Sequence, residues 1–198
     1  MLLARAEDEP LESVLRRRVL APTGMVDTAF SIGRSDLDRM TTSYVVDEET
    51  GVQREYDPPD GQWAAPPPFP SGGGGLVSSA DDFLAFGTML RRGGEGAVAR
   101  VLSAESVVAM TSDQIPDLPA ISPDGATGWG FGVDVQRREG EGRRSPGSYG
   151  WVGGLGTLWM NDPAEDLVGV LLTNQAMMSP DMPGVMTDFW DAVYDHLG

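Results

Sequence analysis

Residues 148–157 read SYGWVGGLGT, and this stretch, more than any other, indicates how the chain folds and what it does. It opens the segment Gly150 to Met160, which we predict to be a β-strand. Glycine weakens a strand interior, so the glycines at 150, 153, 154 and 156 need a reason. One reason is the close approach of a ligand or of another chain segment, and a bare amide that faces a cleft could then act as an oxyanion-hole donor. The alternative is a kinked or bulged strand that binds nothing.

Two further strands are predicted around this segment. Gly128 to Val135 reads GWGFGVDV and alternates like a strand, and Leu167 to Thr173 follows a turn at Asn161-Asp162-Pro163. Asp181 to Leu197 is predicted to form a helix whose apolar face comprises Val185, Phe189, Val193 and Leu197. Residues 127–198 are therefore predicted to be an antiparallel three-strand meander followed by a helix.

The first 126 residues are predicted to be mainly helical. Leu2, Leu3 and Ala6 are spaced like one buried helical face. A second helix begins near Asp8 to Pro10, where acids and proline suit a helix start, and ends at Pro22 to Gly24. Tyr44 to Val46 is predicted to form a short strand.

A long loop rich in proline and glycine occupies residues 57–75. Loops of that length tend to line a site or to be mobile, and a solvated connector is the alternative interpretation. Ser79 and Asp82 are spaced as in a capping box at the start of the next helix, which Gly93-Gly94 ends. Ser103 starts one more short helix.

The chain is strongly acidic, with a formal net charge of −16 from 30 acidic and 14 basic residues. An acidic surface repels nucleic-acid phosphates and anionic lipids, so neither nucleic acid nor a membrane is an expected partner. No apolar stretch approaches the roughly 20 residues of a membrane span. The first ten residues, MLLARAEDEP, lack the apolar core of a signal peptide. As written, the chain is expected to be cytoplasmic.

The residue types that most catalytic and metal sites need are scarce. The chain has no Cys and no Lys, and its single His is His196 on the predicted terminal helix. A thiol nucleophile, a zinc site, a Ser-Lys dyad and a Ser-His-Asp triad therefore have no candidate residues. The run Gly72 to Gly75 lacks the lysine of a P-loop. We predict no cofactor and no metal, and a glycosidase-like carboxylate pair stays open because nothing singles out two of the acids.

Three segments of the chain are similar to three motifs of one known protein superfamily, and they occur in the same order. Leu11 to Phe30 (LESVLRRRVLAPTGMVDTAF) is similar to a helix followed by PLGM-x-D-T-x-F, with Thr23 in place of the usual Leu. Ser71 to Leu90 (SGGGGLVSSADDFLAFGTML) is similar to a helix start of the form GGGGL-x-S-T-x-x-D. Gly128 to Gln175 is similar to a strand, an active-site strand and a D-P…LTNQ hairpin. The chain thus resembles the C-terminal part of the serine β-lactamase and penicillin-binding-protein superfamily, in the branch of class C β-lactamases and related esterases.

The resemblance implies roles for four residues. The superfamily acylates a serine and carries S-x-x-K, Y-x-N or S-x-N, and K-T-G motifs. The first two have no match in this chain, and the third maps onto Trp151-Val152-Gly153. These three residues would line the substrate pocket, with Trp151 as its wall, and the Gly154 N–H would be one half of the oxyanion hole. Related esterases also carry Trp at the Lys position, which favours esters over β-lactams.

The resemblance also implies a fold and an incomplete site. The fold is α+β, a β-lactamase-like antiparallel sheet flanked by helices, of which residues 1–198 form one partial domain. Within it, 1–126 is the remnant of a helical lobe and 127–198 the meander and its helix. The two missing motifs precede this segment in the superfamily, so the chain is expected to be inactive alone. A complementing chain or an upstream segment would complete it for a small ester or amide substrate.

Two other interpretations stay open. The chain is either a non-catalytic descendant that binds a small molecule or a protein, or a remnant without function. If strands of the full sheet are missing, an edge strand is left exposed, and exposed edges pair with other chains. The isolated chain is therefore expected to be marginally stable, molten or a homo-oligomer.

Overall fold

The computed structural model describes residues 2–47, 49–119, 122, 124–139, 143–179 and 182–197. Six α-helices lie in these ranges: α1 (Leu2–Glu7), α2 (Leu11–Leu15), α3 (Ala21–Thr23), α4 (Ala80–Arg91), α5 (Ala104–Thr111) and α6 (Gly184–Leu197). Seven strands accompany them: β1 (Ser43–Val46), β2 (Gln53–Asp57), β3 (Thr127–Trp129), β4 (Asp134–Gln136), β5 (Tyr149–Gly153), β6 (Thr157–Asp162) and β7 (Leu167–Leu172).

The main sheet is a five-stranded antiparallel meander in the order β3-β4-β5-β6-β7. The sequence predicted three strands here, and two of those predictions were wrong in the same way, because each is a hairpin. The predicted strand 128–135 turns at Gly130 to Gly132, and the predicted strand 150–160 turns at Gly154 to Gly156. Gly132 and Gly156 have φ angles of +83° and +84°, a backbone conformation that favours glycine. Thr173, the last residue of the third predicted strand, lies just past β7.

One face of the sheet packs against α4 and α5. Its buried cluster centres on Trp159, and the other members are Met89, Leu90, Val107, Val133, Val135 and Tyr149. Phe83 and Phe86 of α4 lie edge-on to Trp159, with ring centroids 5.9 Å and 5.4 Å away. The Trp159 indole donates to the side chain of Asn161, which in turn donates to Gly87 O and Tyr149 Oη. Every polar group of this buried network therefore has a partner.

The opposite face packs against α6. Leu158 and Met160 of the sheet contact Met186, Trp190 and Tyr194, which are the buried residues of the helix. The predicted apolar face of this helix was therefore wrong by about one residue: Val185 and Leu197 are about half exposed, and Phe189 and Val193 are only partly buried. The reason lies in β7, where a side chain at Gly169 would overlap the Trp190 ring, so the glycine makes room for the indole. Asp181, where the helix was predicted to begin, lies outside the described residues.

The N-terminal helical run is longer and less regular than a simple helix. It continues from α2 through a π-helical turn (Arg16–Leu20) into α3, and Gly24 ends it with a φ of +89°. Val14 and Leu20 are the buried apolar residues of α2 and the π-helical turn. The prediction of a buried face on α1 was wrong, because Leu2 is 82% and Leu3 is 56% exposed and nothing described packs on them.

The predicted capping serines both cap helices. Ser79 Oγ accepts from the Asp82 N–H at the start of α4, and Ser103 Oγ accepts from the Ser106 N–H at the start of α5. The buried carboxylate of Asp82 instead accepts from another segment, from the Asp27 N–H at 2.8 Å and from Thr28 Oγ1 at 2.7 Å. A single side chain therefore fixes the N-terminal run to α4.

The outer edge of β7 is open in the part of the chain that the structure describes. β7 pairs with β6 on one side, and beyond its end β1 continues the hydrogen bonding through Tyr44, whose N–H donates to Asn174 O at 2.8 Å. Along the rest of β7 lies a groove of about 290 Å³, walled by α4 on one side and α6 on the other. Leu84 and Phe189 line it. A strand edge between two helices is the shape that accepts another strand.

Candidate functional site

The turn between β5 and β6 is held to the segment that follows β7. Gly156 O accepts from the Thr173 N–H at 2.9 Å and from Thr173 Oγ1 at 2.8 Å. Gly154 O accepts from the Met177 N–H at 2.8 Å. A side chain at Gly156 would overlap Gln175 O, so the glycine is required by this close approach. Of the four glycines singled out in the sequence, Gly156 therefore marks a close backbone approach in a turn, and Gly150 marks one within β5, where a side chain would overlap Trp159 O.

Gly154 differs from its neighbours in having empty space beside it. A Cβ placed there would meet no atom within 4 Å, whereas one at Gly153 would overlap the Thr157 hydroxyl. Gly154 is exposed on the turn, and its own carbonyl is engaged with Met177. The turn is thus held at the carbonyls of Gly154 and Gly156, while the space in which a side chain at Gly154 would stand is empty.

The alternation of β5 separates the two side chains next to these glycines. Val152 packs into the α6-side cluster with Leu158. Trp151 lies opposite Trp159 in the sheet register, on the face of α4 and α5, and stays 48% exposed. Its ring lies edge-on to that of Trp129, with centroids 4.9 Å apart and an interplanar angle of 87°. An exposed indole held by a second indole forms an apolar wall beside the glycine turn.

A cavity of about 430 Å³ lies at the same end of the sheet, beyond Thr173. Its wall combines the segment after α3 with the residues before α4 and the end of β7, and includes Asp27, Arg39, Ser78, Thr173 and Asn174. Trp151, Val152, Gly153 and Gly154 do not line it. Thr173 links the two, because it faces the cavity and also donates to the glycine turn.

An ion pair between Asp27 and Arg39 and one further carboxylate, that of Asp36, are the charged groups in the wall of this cavity. Arg39 donates through both terminal nitrogens to the two carboxylate oxygens of Asp27, at 2.8 Å and 2.7 Å. These hydrogen bonds from Arg39 are the main reason that the pKa of Asp27 lies below its ordinary value. Asp27 is therefore ionised at neutral pH and unsuited to act as a general acid there.

The sequence singled out the glycines of the turn but predicted a strand there, and it missed the cavity. Trp151, Gly153 and Gly154 stay predicted pocket residues, while Val152 faces the α6 side of the sheet. Trp129 was read as part of a strand, and its aromatic type beside a glycine-rich strand was the one available signal. Asp27 and Arg39 carry no signal, because only the fold brings them to Thr173. His196 is exposed, as predicted.

The described residues offer neither a metal site nor a membrane span. No group of three or more His, Asp or Glu side chains among them is arranged to hold a metal ion. Among the helices of the described ranges, none is long and apolar enough to cross a bilayer.

Comparisons with known proteins agree on one family. The family model described as Beta-lactamase matches residues 1–184. Protein Rv1367c of Mycobacterium tuberculosis is 36% identical over 180 residues, which cover 85% of this chain and 44% of that protein. The chain thus spans less than half the length of this curated relative.

Solved structures show the same fold. EstCE1, described as a hydrolase with promiscuous acyltransferase activity, is 26% identical with a TM-score of 0.77, over 97% of this chain and 52% of EstCE1. Simvastatin synthase (LovD) from Aspergillus terreus is 22% identical with a TM-score of 0.79, over 98% of this chain and 52% of that enzyme. The α+β architecture predicted from the sequence, a β-lactamase-like antiparallel sheet with helices, is confirmed as part of a larger domain.

Proposed function

This chain belongs to the Beta-lactamase family, and on that premise we propose that it forms one side of a serine hydrolase active site that cleaves small esters through an acyl-enzyme. The Gly154 N–H is one oxyanion-hole donor, and Trp151 walls the pocket. The nucleophilic serine and the residues that activate it come from a segment outside these 198 residues. The isolated chain therefore binds substrate poorly and does not turn it over.

The glycine turn carries this proposal. An oxyanion hole needs an N–H fixed in place before the reaction and open to the ligand. The turn combines a backbone held by Thr173 and Met177 with open space at Gly154. The exposed indole of Trp151 stands three residues earlier, where the K-T-G motif of the superfamily has its lysine. An indole carries no positive charge for the carboxylate of a β-lactam, which favours an uncharged ester.

Two observations support a nucleophile supplied from elsewhere. The chain contains no lysine, so an S-x-x-K motif has no place in it. EstCE1 is nearly twice as long as the part that this chain matches. The open edge of β7 and the groove between α4 and α6 give such a segment a place to dock by strand addition. The docked segment is then part of the same sheet as the glycine turn.

A chimera tests the proposal. The segment of EstCE1 that precedes its matched part is joined to residues 1–198, and hydrolysis of 4-nitrophenyl butyrate is measured. Gly154→Pro removes the N–H, and we expect kcat to fall by about 10²- to 10³-fold, the usual effect of losing one oxyanion-hole donor. Gly154→Ala is the matched control, because it keeps the N–H and its methyl group meets no atom within 4 Å.

The outcomes separate the interpretations. An active chimera that loses activity in Gly154→Pro and keeps it in Gly154→Ala supports the proposal. Equal activity in both variants would exclude Gly154 as the donor. A folded chimera that binds the ester without hydrolysing it would favour the non-catalytic descendant.

A further inference from the structure

The backbone of Trp129 is held on both sides. Its N–H donates to Asp113 Oδ1 at 3.1 Å, and its carbonyl accepts from the Gln114 N–H at 2.8 Å. Two residues later, the Phe131 N–H donates to Met110 O at 2.9 Å. β3 is an edge strand of only three residues, so these bonds to the segment after α5 replace the strand partner that it lacks.

The carboxylate that holds Trp129 is itself fixed. Asp113 Oδ2 accepts from Arg137 Nε at 2.7 Å, and both side chains are more than four-fifths buried. Arg137 also donates to the carbonyls of Ile115 and Leu118. The pair is thus hydrogen-bonded on all sides, the condition under which a buried ion pair holds a defined geometry. Asp113 and Arg137 thus hold the backbone of Trp129 in addition to any packing of its side chain, and we call this hydrogen-bonded pair the clamp.

The clamp matters because of where the Trp129 ring lies. It meets the Trp151 ring edge-on at 4.9 Å, within the range at which aromatic pairs attract beyond their buried area. Trp151 itself is 48% exposed, and an exposed indole without such support has several rotamers. Contact with the ring of Trp129, whose backbone is held in place, therefore restricts the rotamers that are open to Trp151.

We infer that Trp129 is a positioning residue that fixes Trp151, and that the two indoles form an aromatic wall for a neutral, planar aromatic or hydrocarbon group of the substrate. The inference rests on the proposed function in one respect, that the bound molecule is a substrate. The orientation of the rings and their contact with a ligand can be measured without turnover. The charge of −16 disfavours an anionic ligand, and the two indoles themselves offer no charged group to a ligand.

Fluorine NMR on the 198-residue chain labelled with 5-fluorotryptophan tests the inference. The chain has five tryptophans, and single Trp→Phe substitutions assign their signals. Spectra are recorded in sucrose, which strengthens burial of apolar groups. The probe is 2-naphthol, which is neutral at pH 7. We expect it to shift the signals of Trp129 and Trp151 and to leave that of the buried Trp190 in place.

Three variants sharpen the test. Trp129→Leu removes the ring contact, and we expect it to move the Trp151 signal and weaken naphthol binding about twofold to tenfold. Trp129→Phe keeps a ring and restores most of the binding, which a loss of folding alone would not produce. Trp63→Phe is the matched control, because Trp63 lies beside Gly75, away from the pair, and should leave the Trp151 signal unchanged.

The inference is overturned if the Trp151 signal does not respond to Trp129→Leu while the Trp190 signal shows a folded chain. It is also overturned if naphthol shifts neither indole of the pair. Neither of these results would bear on the activity of the chimera. An inactive chimera would likewise not bear on the contact between the two rings, so failure of one proposal is distinguishable from failure of the other.

Discussion

The centre and the edge of the main sheet are built in opposite ways. At the centre, β6 carries Leu158 and Met160 into one buried cluster and Trp159 into the other, and all three side chains are at most 4% exposed. At the edge, β7 pairs with β6 alone among the described strands, and its last residue, Leu172, is 42% exposed and lines the cavity at the end of the strand. The centre is a filled core, whereas the edge is open in the part of the chain that the structure describes.

The two regions have different roles, because the centre of the sheet stabilises the fold and the edge lies beside the proposed site. The centre is specified by interactions that the described chain completes itself, such as the hydrogen bonds of Asn161. The glycine turn joins β5 to β6 and is held by Thr173, which directly follows β7. The turn that is proposed to act on substrate therefore lies next to one end of the open edge strand.

The largest expected effect breaks the centre. Trp159→Ala removes three aromatic contacts and the donor to Asn161, and we expect it to lower the free energy of unfolding by about 3–5 kcal/mol. Leu172→Ala at the edge should change it by no more than about 1 kcal/mol, because the side chain is nearly half exposed. Urea unfolding of both variants measures the contrast. Equal losses would mean that centre and edge do not differ.

A smaller effect concerns the carboxylate that joins α6 to the sheet. Asp162 accepts from Tyr194 Oη at 2.6 Å and from the Ser145 and Ala164 N–H groups. Tyr194→Phe should lower the free energy of unfolding by about 1.5–3 kcal/mol, the usual range for a hydrogen bond to a charged group. His196→Ala on the same helix is the control, because His196 is exposed.

The same contact predicts a dependence on pH. Burial acts to raise the pKa of Asp162, but the hydrogen bonds from Tyr194 and Ser145 outweigh it, so the pKa lies below the ordinary 3.8. The unfolded chain then binds the proton more readily, so the stabilisation is complete above the ordinary pKa and is lost as the pH falls through the folded one. Acid titration of Tyr194→Phe should show a shallower loss than the parent. A steeper loss would contradict the assignment.

Changes at the open edge of β7 are expected to have the smallest effect on folding and a clear effect on self-association. We expect the isolated chain to sediment above its 21.1 kDa monomer mass at about 0.15 M salt, where repulsion between its acidic surfaces is screened beyond about 8 Å. Leu172→Lys should return it toward the monomer mass, because a charge on an edge strand opposes pairing. A parent chain that melts as a sharp, cooperative monomer would sink this prediction.

The sequence was informative where the signal was local. Ser79 and Ser103 cap the helices that they were expected to start, because capping depends on groups three residues apart. The strand count was wrong because glycine both weakens strands and forms turns, and the pattern does not separate the two uses at Gly154 to Gly156. Gly156 nevertheless marks the close backbone approach that was expected among these glycines.

The sequence was uninformative where the structure depends on distant residues. The buried face of α6 is set by Gly169, which admits the Trp190 ring from another element. The cavity joins Asp27 and Arg39 to Thr173, more than 130 residues away in the chain, which no periodicity reports. Positions such as Trp129 gain their role through contacts like that of Asp113, which appear only once the chain is folded.

Mass spectrometry after labelling with a serine-reactive fluorophosphonate tests the central claim most directly. The chimera with the EstCE1 segment and the isolated chain are labelled in parallel, digested and mapped. The account predicts an adduct in the chimera on a serine of the EstCE1 segment, and no adduct on any residue of 1–198 in either sample. An adduct on a serine of this chain would contradict the account, because the nucleophile would then lie within the 198 residues.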